Sequence, residues 1–173
     1  IIFANLISSL LHNFPVYTWS FFFGLILASI FIIGSKIKNL YGSGGLGLFL
    51  GVIFGFSLVS IIPVSTPENW WFVFISGMIA ISAMVLPGIS GSFILLLIGK
   101  YEFILDAAKD PLQLENFIVL IIFFFGCFIG VATVSRLISK FFELHYNFTI
   151  AFLTGLIIGS LKKIWPWKEA INK

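Results

Sequence analysis

Residues 70–99 read WWFVFISGMIAISAMVLPGISGSFILLLIG, an uncharged apolar stretch interrupted near its middle by Leu86-Pro87-Gly88-Ile89-Ser90-Gly91-Ser92. A helix crosses hydrocarbon in about 20 residues, so this stretch is too long for one crossing and too short for two. Pro87 removes a backbone donor and clashes with the preceding turn, while Gly88 and Gly91 permit backbone angles that other residues resist. The pattern predicts a half-helix over 71–86, a loop, and a second half-helix starting near Gly91. In hydrocarbon an unpaired backbone group costs several kcal/mol, so a broken helix persists only where it is buried in protein or lines a wet cavity. The break therefore points to a polar site. The start of the second half-helix offers free N–H groups and the positive end of its dipole, with Ser90 or Ser92 as a hydroxyl cap or donor, an arrangement suited to a phosphate. The plainer alternative is a kink packed by its neighbours.

The rest of the chain agrees with a bilayer. Of 173 residues, 60% are hydrophobic and 10% charged, and 22 are Phe, which leaves no means of building a water-soluble surface. Between Lys38 and Lys100 the only charged residue is Glu68, whereas the bases gather at Lys36/Lys38, Arg136/Lys140 and Lys162/Lys163/Lys168, as at segment ends. A net charge of +3 without a long basic run favours membrane headgroups and argues against nucleic acid as a partner. Spans are expected over 17–35, 44–63, 116–135 and 148–161, with Ile1 to His12 as the end of another span and Asn13-Phe14-Pro15 as a turn. The expected fold class is an all-α polytopic membrane protein with a broken, re-entrant helix pair.

Several features carry packing rather than chemistry. Gly47/Gly51/Gly55, Gly126/Gly130 and Gly155/Gly159 recur every four residues and mark faces where membrane helices approach closely. Trp70, Trp71, Trp165 and Trp167 sit at span ends, where they anchor at headgroup level. The single cysteine, Cys127, reads as a small buried hydrophobe. His145 has no partner at metal-ligand spacing and is expected in a loop, so no metal or cofactor is called for, and no catalytic constellation marks an enzyme.

Three further charged positions bear on the site. Arg136, the only arginine, stands beside Ser135 and Ser139 at the end of the 116–135 span, where a guanidinium suits bidentate phosphate binding or equally a headgroup anchor. Lys100 follows the second half-helix as a candidate counter-charge, although a loop lysine is more usually solvated. Glu102 and Asp106 fall one turn apart on a short helix, Tyr101 to Lys109, and are candidates for a coupled cation or proton, with solvated interface charges as the commoner reading.

The sequence also matches itself at an offset of 131 residues: Leu6-Ile7-Ser8 meets Leu137-Ile138-Ser139, and Thr18, Phe21, Gly24, Leu25, Ile26 and Ser29 meet Thr149, Phe152, Gly155, Leu156, Ile157 and Ser160. On that reading 1–35 ends a first repeat, 36–69 is a connecting span and loop, and 70–173 is a second repeat holding the broken helix. The first-repeat partner of the break would lie about 44 residues before Ile1. The chain lacks an initiator Met and a signal peptide's flanks, and is expected to be a piece of a longer two-repeat protein. Paired broken helices in two repeats are the pattern of secondary transporters. Counting Lys and Arg places Lys36/Lys38 and Arg136/Lys140 in the cytoplasm and makes 70–99 a hairpin entering and leaving on the outer side, at the expense of putting Lys162/Lys163 outside; a full crossing by 70–99 is the alternative that resolves this differently.

Leu86 through Ser92, Gly99-Lys100-Tyr101-Glu102, and Gly155-Leu156-Ile157-Ile158-Gly159-Ser160-Leu161-Lys162-Lys163-Ile164-Trp165-Pro166-Trp167 resemble the bacterial and archaeal family known as domain of unknown function 368, over essentially the whole chain. The family's first Pro-Gly-x-Ser-Gly copy is absent here. The resemblance implies a multi-pass protein of the cytoplasmic membrane that returns undecaprenyl phosphate, a polyprenyl phosphate lipid, between leaflets as a flippase for cell-wall biogenesis. Its site would be Pro87, Gly88, Ser90, Gly91, Ser92 and Arg136, its surroundings membrane lipids, and no covalent chemistry is required. Two rivals differ in class. A membrane polyprenyl-diphosphate phosphatase also carries a Pro-Gly-x-Ser loop, but continues it with Arg-Ser where this chain has Gly91-Ser92. A small-anion transporter would share the helix-terminus site. Either Arg136→Ala or Gly91→Leu is expected to impair transport while leaving the protein folded.

Overall fold

The computed structural model describes residues 9, 10, 12–64 and 66–165, and among these every regular element is helical. In chain order these are α1 (Pro15–Gly34), α2 (Ser43–Ser60), α3 (Trp70–Val85), α4 (Gly91–Leu97), α5 (Tyr101–Lys109) and α6 (Leu114–Ser160), followed by a 3-10 turn, Leu161–Ile164. α1, α2 and the run from Leu114 to Ile164 are long and apolar enough to cross a membrane. α1 has no buried residue, so an all-apolar helix is left facing outward, which water would not tolerate. The chain is an all-α, polytopic membrane protein. The broken pair also falls where expected, with α3 ending at Val85 and α4 starting at Gly91.

The spans expected over 116–135 and 148–161 fall on two helices: the run α6 leaves helical geometry at His145 (φ −138°, ψ 53°), which lies between them as expected, although the first helix continues past 135 to that kink. No Gly or Pro occurs between Gly130 and Gly155, and the interruption is a one-residue kink rather than an extended loop. The expected span end over Ile1 to His12 lies mostly outside the described residues.

The chain forms two compact units. The first comprises residues 1–59 and 150–173, and is organised by glycines. A Cβ on Gly55 would meet the Leu156 carbonyl oxygen at 2.7 Å, and one on Gly51 would meet the Gly155 Cα at 3.0 Å. The backbones of α2 and the end of α6 thus touch, as small-residue stripes allow. Buried hydroxyls there return to their own helix, Thr154 to the Ile150 carbonyl (2.7 Å) and Ser160 to that of Ile157 (2.8 Å). Trp165 meets Phe23 edge to face at 5.6 Å, and the Lys162 ammonium lies 4.3 Å from the Phe56 ring centroid. Trp167 lies outside the described residues.

The second unit, residues 60–149, holds the hairpin. A Cβ on Gly91 would meet the Ala80 carbonyl oxygen at 2.8 Å, while beyond the other end of α4 the Lys100 ammonium lies 5.9 Å from the Phe72 ring. α4 therefore runs back along α3 toward its start, and the chain enters and leaves the hairpin at one end. α6 lies on another side of α3: a Cβ on Gly126 would abut Phe74 and Met78, one on Gly130 Met78 and Ile81, and Cys127 Sγ donates to the Gly77 carbonyl (3.5 Å). Rising residue numbers on α6 meet rising numbers on α3, so these two helices are parallel with a register of about 50 residues, as Cys127 opposite Gly77 indicates.

The segments matched at the 131-residue offset share their local geometry. Phe14 (φ −136°, ψ 57°) and His145 (φ −138°, ψ 53°) interrupt the helix in the same way. At each break a threonine hydroxyl spans the gap: Thr18 donates to the carbonyls of Phe14 (2.9 Å) and Leu10 (3.1 Å), Thr149 to those of His145 (2.9 Å) and Phe141 (3.0 Å).

Candidate functional site

The break is built as a tight turn. Leu86 leaves the helix in an extended conformation (φ −81°, ψ 129°), Gly88 has φ +86°, and the Ile89 N–H reaches back to the Leu86 carbonyl at 3.4 Å. Pro at the second position and a left-handed residue at the third define a type II turn, so Pro87-Gly88 is a physical requirement of the reversal. Gly91 serves another purpose: its backbone is helical, and its missing side chain lets α4 rest on the Ala80 carbonyl. Gly91→Leu would force α4 off α3, so this variant does not leave the hairpin intact as expected; the obstacle is backbone, which cannot rotate aside.

Ser90 occupies the N-cap position of α4 (φ −99°, ψ 128°), yet no side chain caps this terminus. Instead the Ser90 and Ser92 hydroxyls bond each other at 2.8 Å, both exposed. Ordinarily an N-cap hydroxyl accepts from a first-turn N–H. Here the hydroxyl pair is exposed beside the start of α4, whose first residue, Gly91, is buried against α3.

Arg136 is exposed on α6, between exposed Ser135 and Ser139. With Gly130 against Met78 and Ile81, six further residues of helix carry Arg136 about 9 Å along the axis, to the level at which α3 ends and the break begins. α3 itself rises about 24 Å over its 16 residues. Exposed Trp70 and Trp71 stand at the other end of α3 from the break.

The other candidates fall at the opposite end of α4. Lys100 is not a solvated loop lysine: it is 1% exposed, donates to the Thr66 carbonyl at 3.0 Å, and its ammonium lies 5.1 Å from the Phe103 ring. Glu102 and Asp106 are exposed on α5. Asp106 pairs with Lys109 at 2.7 Å rather than acting with Glu102, and this hydrogen bond raises the pKa of the Lys109 ammonium above its usual value. The hairpin mouth is acidic as well: Glu68 and Glu115 line a cavity of about 290 Å³ with Trp70, Val73, Val119 and Ile122. The structure thus separates a hydroxyl-bearing break, level with Arg136, from a carboxylate-rich mouth. Sequence reasoning missed the burial of Lys100, although a signal existed. Gly99 (φ +65°) ends α4 in a Schellman motif, with the Gly99 and Lys100 N–H groups donating to the Leu96 and Leu95 carbonyls, and the residue after such a glycine commonly folds onto the helix end.

Helices long and apolar enough to span a membrane, with backbones in close contact at glycines, together with a helical hairpin that exposes hydroxyls at its tip, define a polytopic helical membrane protein with a broken helix pair. The chain belongs to the undecaprenyl phosphate translocase-like family (VCA0040-like), whose family model matches residues 1–173. It is 46% identical over 169 residues to a polyprenyl-phosphate transporter of Vibrio cholerae serotype O1, covering 98% of this chain and 54% of that protein. A polyprenyl-phosphate transporter of Staphylococcus aureus is 32% identical over 179 residues, covering 94% of this chain and 62% of the relative. The chain therefore spans little more than half the length of these curated relatives. No solved structure matches it.

Proposed function

We propose that this chain is part of a transporter that carries polyprenyl phosphate, specifically undecaprenyl phosphate, between leaflets of the cytoplasmic membrane for carrier-lipid recycling in cell-envelope synthesis. The observation that carries this reading is the hairpin tip: two exposed serine hydroxyls beside an uncapped helix start, at the axial level of the only arginine. The relatives' names support the lipid class. Moving a phosphate through hydrocarbon is opposed by desolvation of its charge. Pro87, Gly88 and Gly91 shape the tip, Ser90, Ser92 and the first N–H groups of α4 replace water around the phosphate, and Arg136 supplies the counter-charge. The isoprenoid tail remains in lipid throughout, so no bond is made or broken.

The acidic mouth fits the same role by disfavouring an anion at the wrong end of the hairpin. In this reading the chain holds the end of one repeat, over 1–35, and a second over 70–173, and the equivalent backbone breaks at Phe14 and His145 support that division. The test is transport of undecaprenyl phosphate in proteoliposomes. Ser90→Ala/Ser92→Ala and Arg136→Ala are each expected to lower the rate by about tenfold or more, from loss of charge-assisted hydrogen bonds. Undecaprenyl phosphate should compete and inorganic phosphate should not. Unchanged rates in both variants would remove the tip from the mechanism, and phosphate release from the lipid diphosphate would replace the carrier with an enzyme.

A further inference from the structure

The buried lysine is not used by the transport reading, and its surroundings are specific. The last carbonyls of a helix ordinarily lack partners, yet at the end of α4 each is satisfied. Ile94, Leu95 and Leu96 accept from the Ile98, Lys100 and Gly99 N–H groups, Leu97 accepts from the Val64 N–H at 2.9 Å, and Ile98 accepts from the Thr66 hydroxyl. Two of these bonds come from the loop that precedes α3, so the returning end of the hairpin is stitched to its entering loop. Lys100 closes the seam in the opposite sense, donating from its ammonium to the Thr66 carbonyl at 3.0 Å. The Phe72 and Phe103 rings lie 5.9 and 5.1 Å away. Among the described residues no carboxylate forms an ion pair with it.

Burying an ammonium without a counter-ion is costly, and a lysine that needed only to pack would be better replaced by methionine. We propose that Lys100 is a positioning residue: its ammonium pins the base of α4 to the entering loop, and so fixes where the Ser90-Gly91-Ser92 tip stands. The mechanical reason is that α4 is a rod of seven residues, about 10 Å long, with the pin at one end and the tip at the other. A small displacement at the base is transmitted whole to the serine hydroxyls. Burial pushes the pKa of the Lys100 ammonium below its usual range, and the Phe72 and Phe103 rings offset part of that cost without a carboxylate. Glu68, two residues beyond Thr66, adds attraction from the same loop without making a pair. Lys100 touches no part of the tip, so it does not bind the phosphate; it acts through α4.

The pin is tested in the membrane-embedded protein by amide hydrogen exchange, with transport measured in parallel. Lys100→Met, which keeps length and apolar packing, is expected to speed exchange over 91–97 by about tenfold while leaving 123–130, held on α3 by glycine contacts, unchanged. Lys100→Arg retains a donor and a ring-facing cation and should stay within about threefold of the parent. Thr66→Val removes a neighbouring stitch and should loosen the same segment by several-fold, which decides the matter if Lys100→Met does not accumulate. The consequence for activity rests on the transport reading: for Lys100→Met the half-saturating lipid concentration should rise about tenfold, with the maximal rate within about twofold. Unchanged exchange over 91–97 in both Lys100→Met and Thr66→Val overturns the pin, as does a rise shared equally by 123–130. Absence of lipid-phosphate transport by the parent protein would refute the transport reading, and normal transport by the Ser90, Ser92 and Arg136 variants would remove the tip from it; in either case a loosened α4 in Lys100→Met leaves the pin standing.

Discussion

At the scale of single residues the hairpin assigns different work to side chains that look alike in the sequence. Gly88 is required for its left-handed backbone (φ +86°), whereas Gly91 is required for the space its Cβ would fill. Arg136 lies exposed at the level of the tip, while Lys100 is sealed at the base. These two cations should therefore respond differently to conservative exchange. Arg136→Lys replaces a planar fork with a point charge and is expected to lose most of the transport rate, because bidentate geometry is lost even though charge is kept. Lys100→Arg should be nearly silent in the same assay. The side-chain types for an anion site were legible in the sequence. For Lys100 the helix-ending Gly99 hinted that the next residue folds back onto α4, but its partner, the Thr66 carbonyl, lies 34 positions earlier and was not legible.

At the scale of elements, glycine spacing gave the faces but not their partners. The stripe on α2 meets Gly155 and Gly159, roughly a hundred residues later, whereas Gly126 and Gly130 meet α3. A paired measurement separates contact glycines from free ones by thermal unfolding in detergent. Gly130→Leu, whose Cβ would meet the Met78 carbonyl oxygen at 2.7 Å and Ile81 Cγ2 at 2.7 Å, should destabilise by about 1–3 kcal/mol or more. Gly24→Ala, with nothing within 4 Å, should be neutral or stabilise by about 0.5–1 kcal/mol through helix propensity. The two threonine-bridged breaks allow a similar comparison. Thr18→Val and Thr149→Val each remove a hydroxyl that bonds two carbonyls across the gap, and each should cost about 1 kcal/mol. A loss at one break but not the other would show that equal geometry does not mean equal strain.

At the scale of the whole molecule, composition and helix lengths make the chain a multi-pass membrane protein, and family membership places it among proteins whose named relatives handle polyprenyl phosphate. Within residues 60–149 charge is distributed along the hairpin axis, with Glu68, Glu102, Asp106, Asp110 and Glu115 outnumbering Lys100 and Lys109 toward the mouth, and Arg136 at the level of the tip followed by Lys140 and Glu143. Such a field should make recruitment of an anionic lipid dependent on salt. Raising ionic strength from about 0.05 to 0.5 M is expected to weaken the initial capture of undecaprenyl phosphate by several-fold while changing the maximal rate little, because exposed charges are screened and the tip's short hydrogen bonds are not.

The sequence by itself determined the membrane class, the break at Pro87–Gly91, the small-residue faces and the 131-residue correspondence, since each depends on composition or spacing within a short window. It also placed an interruption at His145, which is a one-residue kink between two helices rather than an extended loop. The sequence raised a hairpin over 70–99 only through the count of Lys and Arg, and the tertiary structure decided for it by laying α4 back along α3. The tertiary structure alone decided that α6 runs parallel to α3 with Arg136 level with the tip, and that Lys100 is buried at the far end. The reason is physical: helix starts and breaks are set by a few consecutive residues, but register between helices is set by backbone contacts between residues about 50 positions apart, as at Gly77 and Cys127. What began as an interrupted apolar run is a hairpin whose tip and base have separate roles.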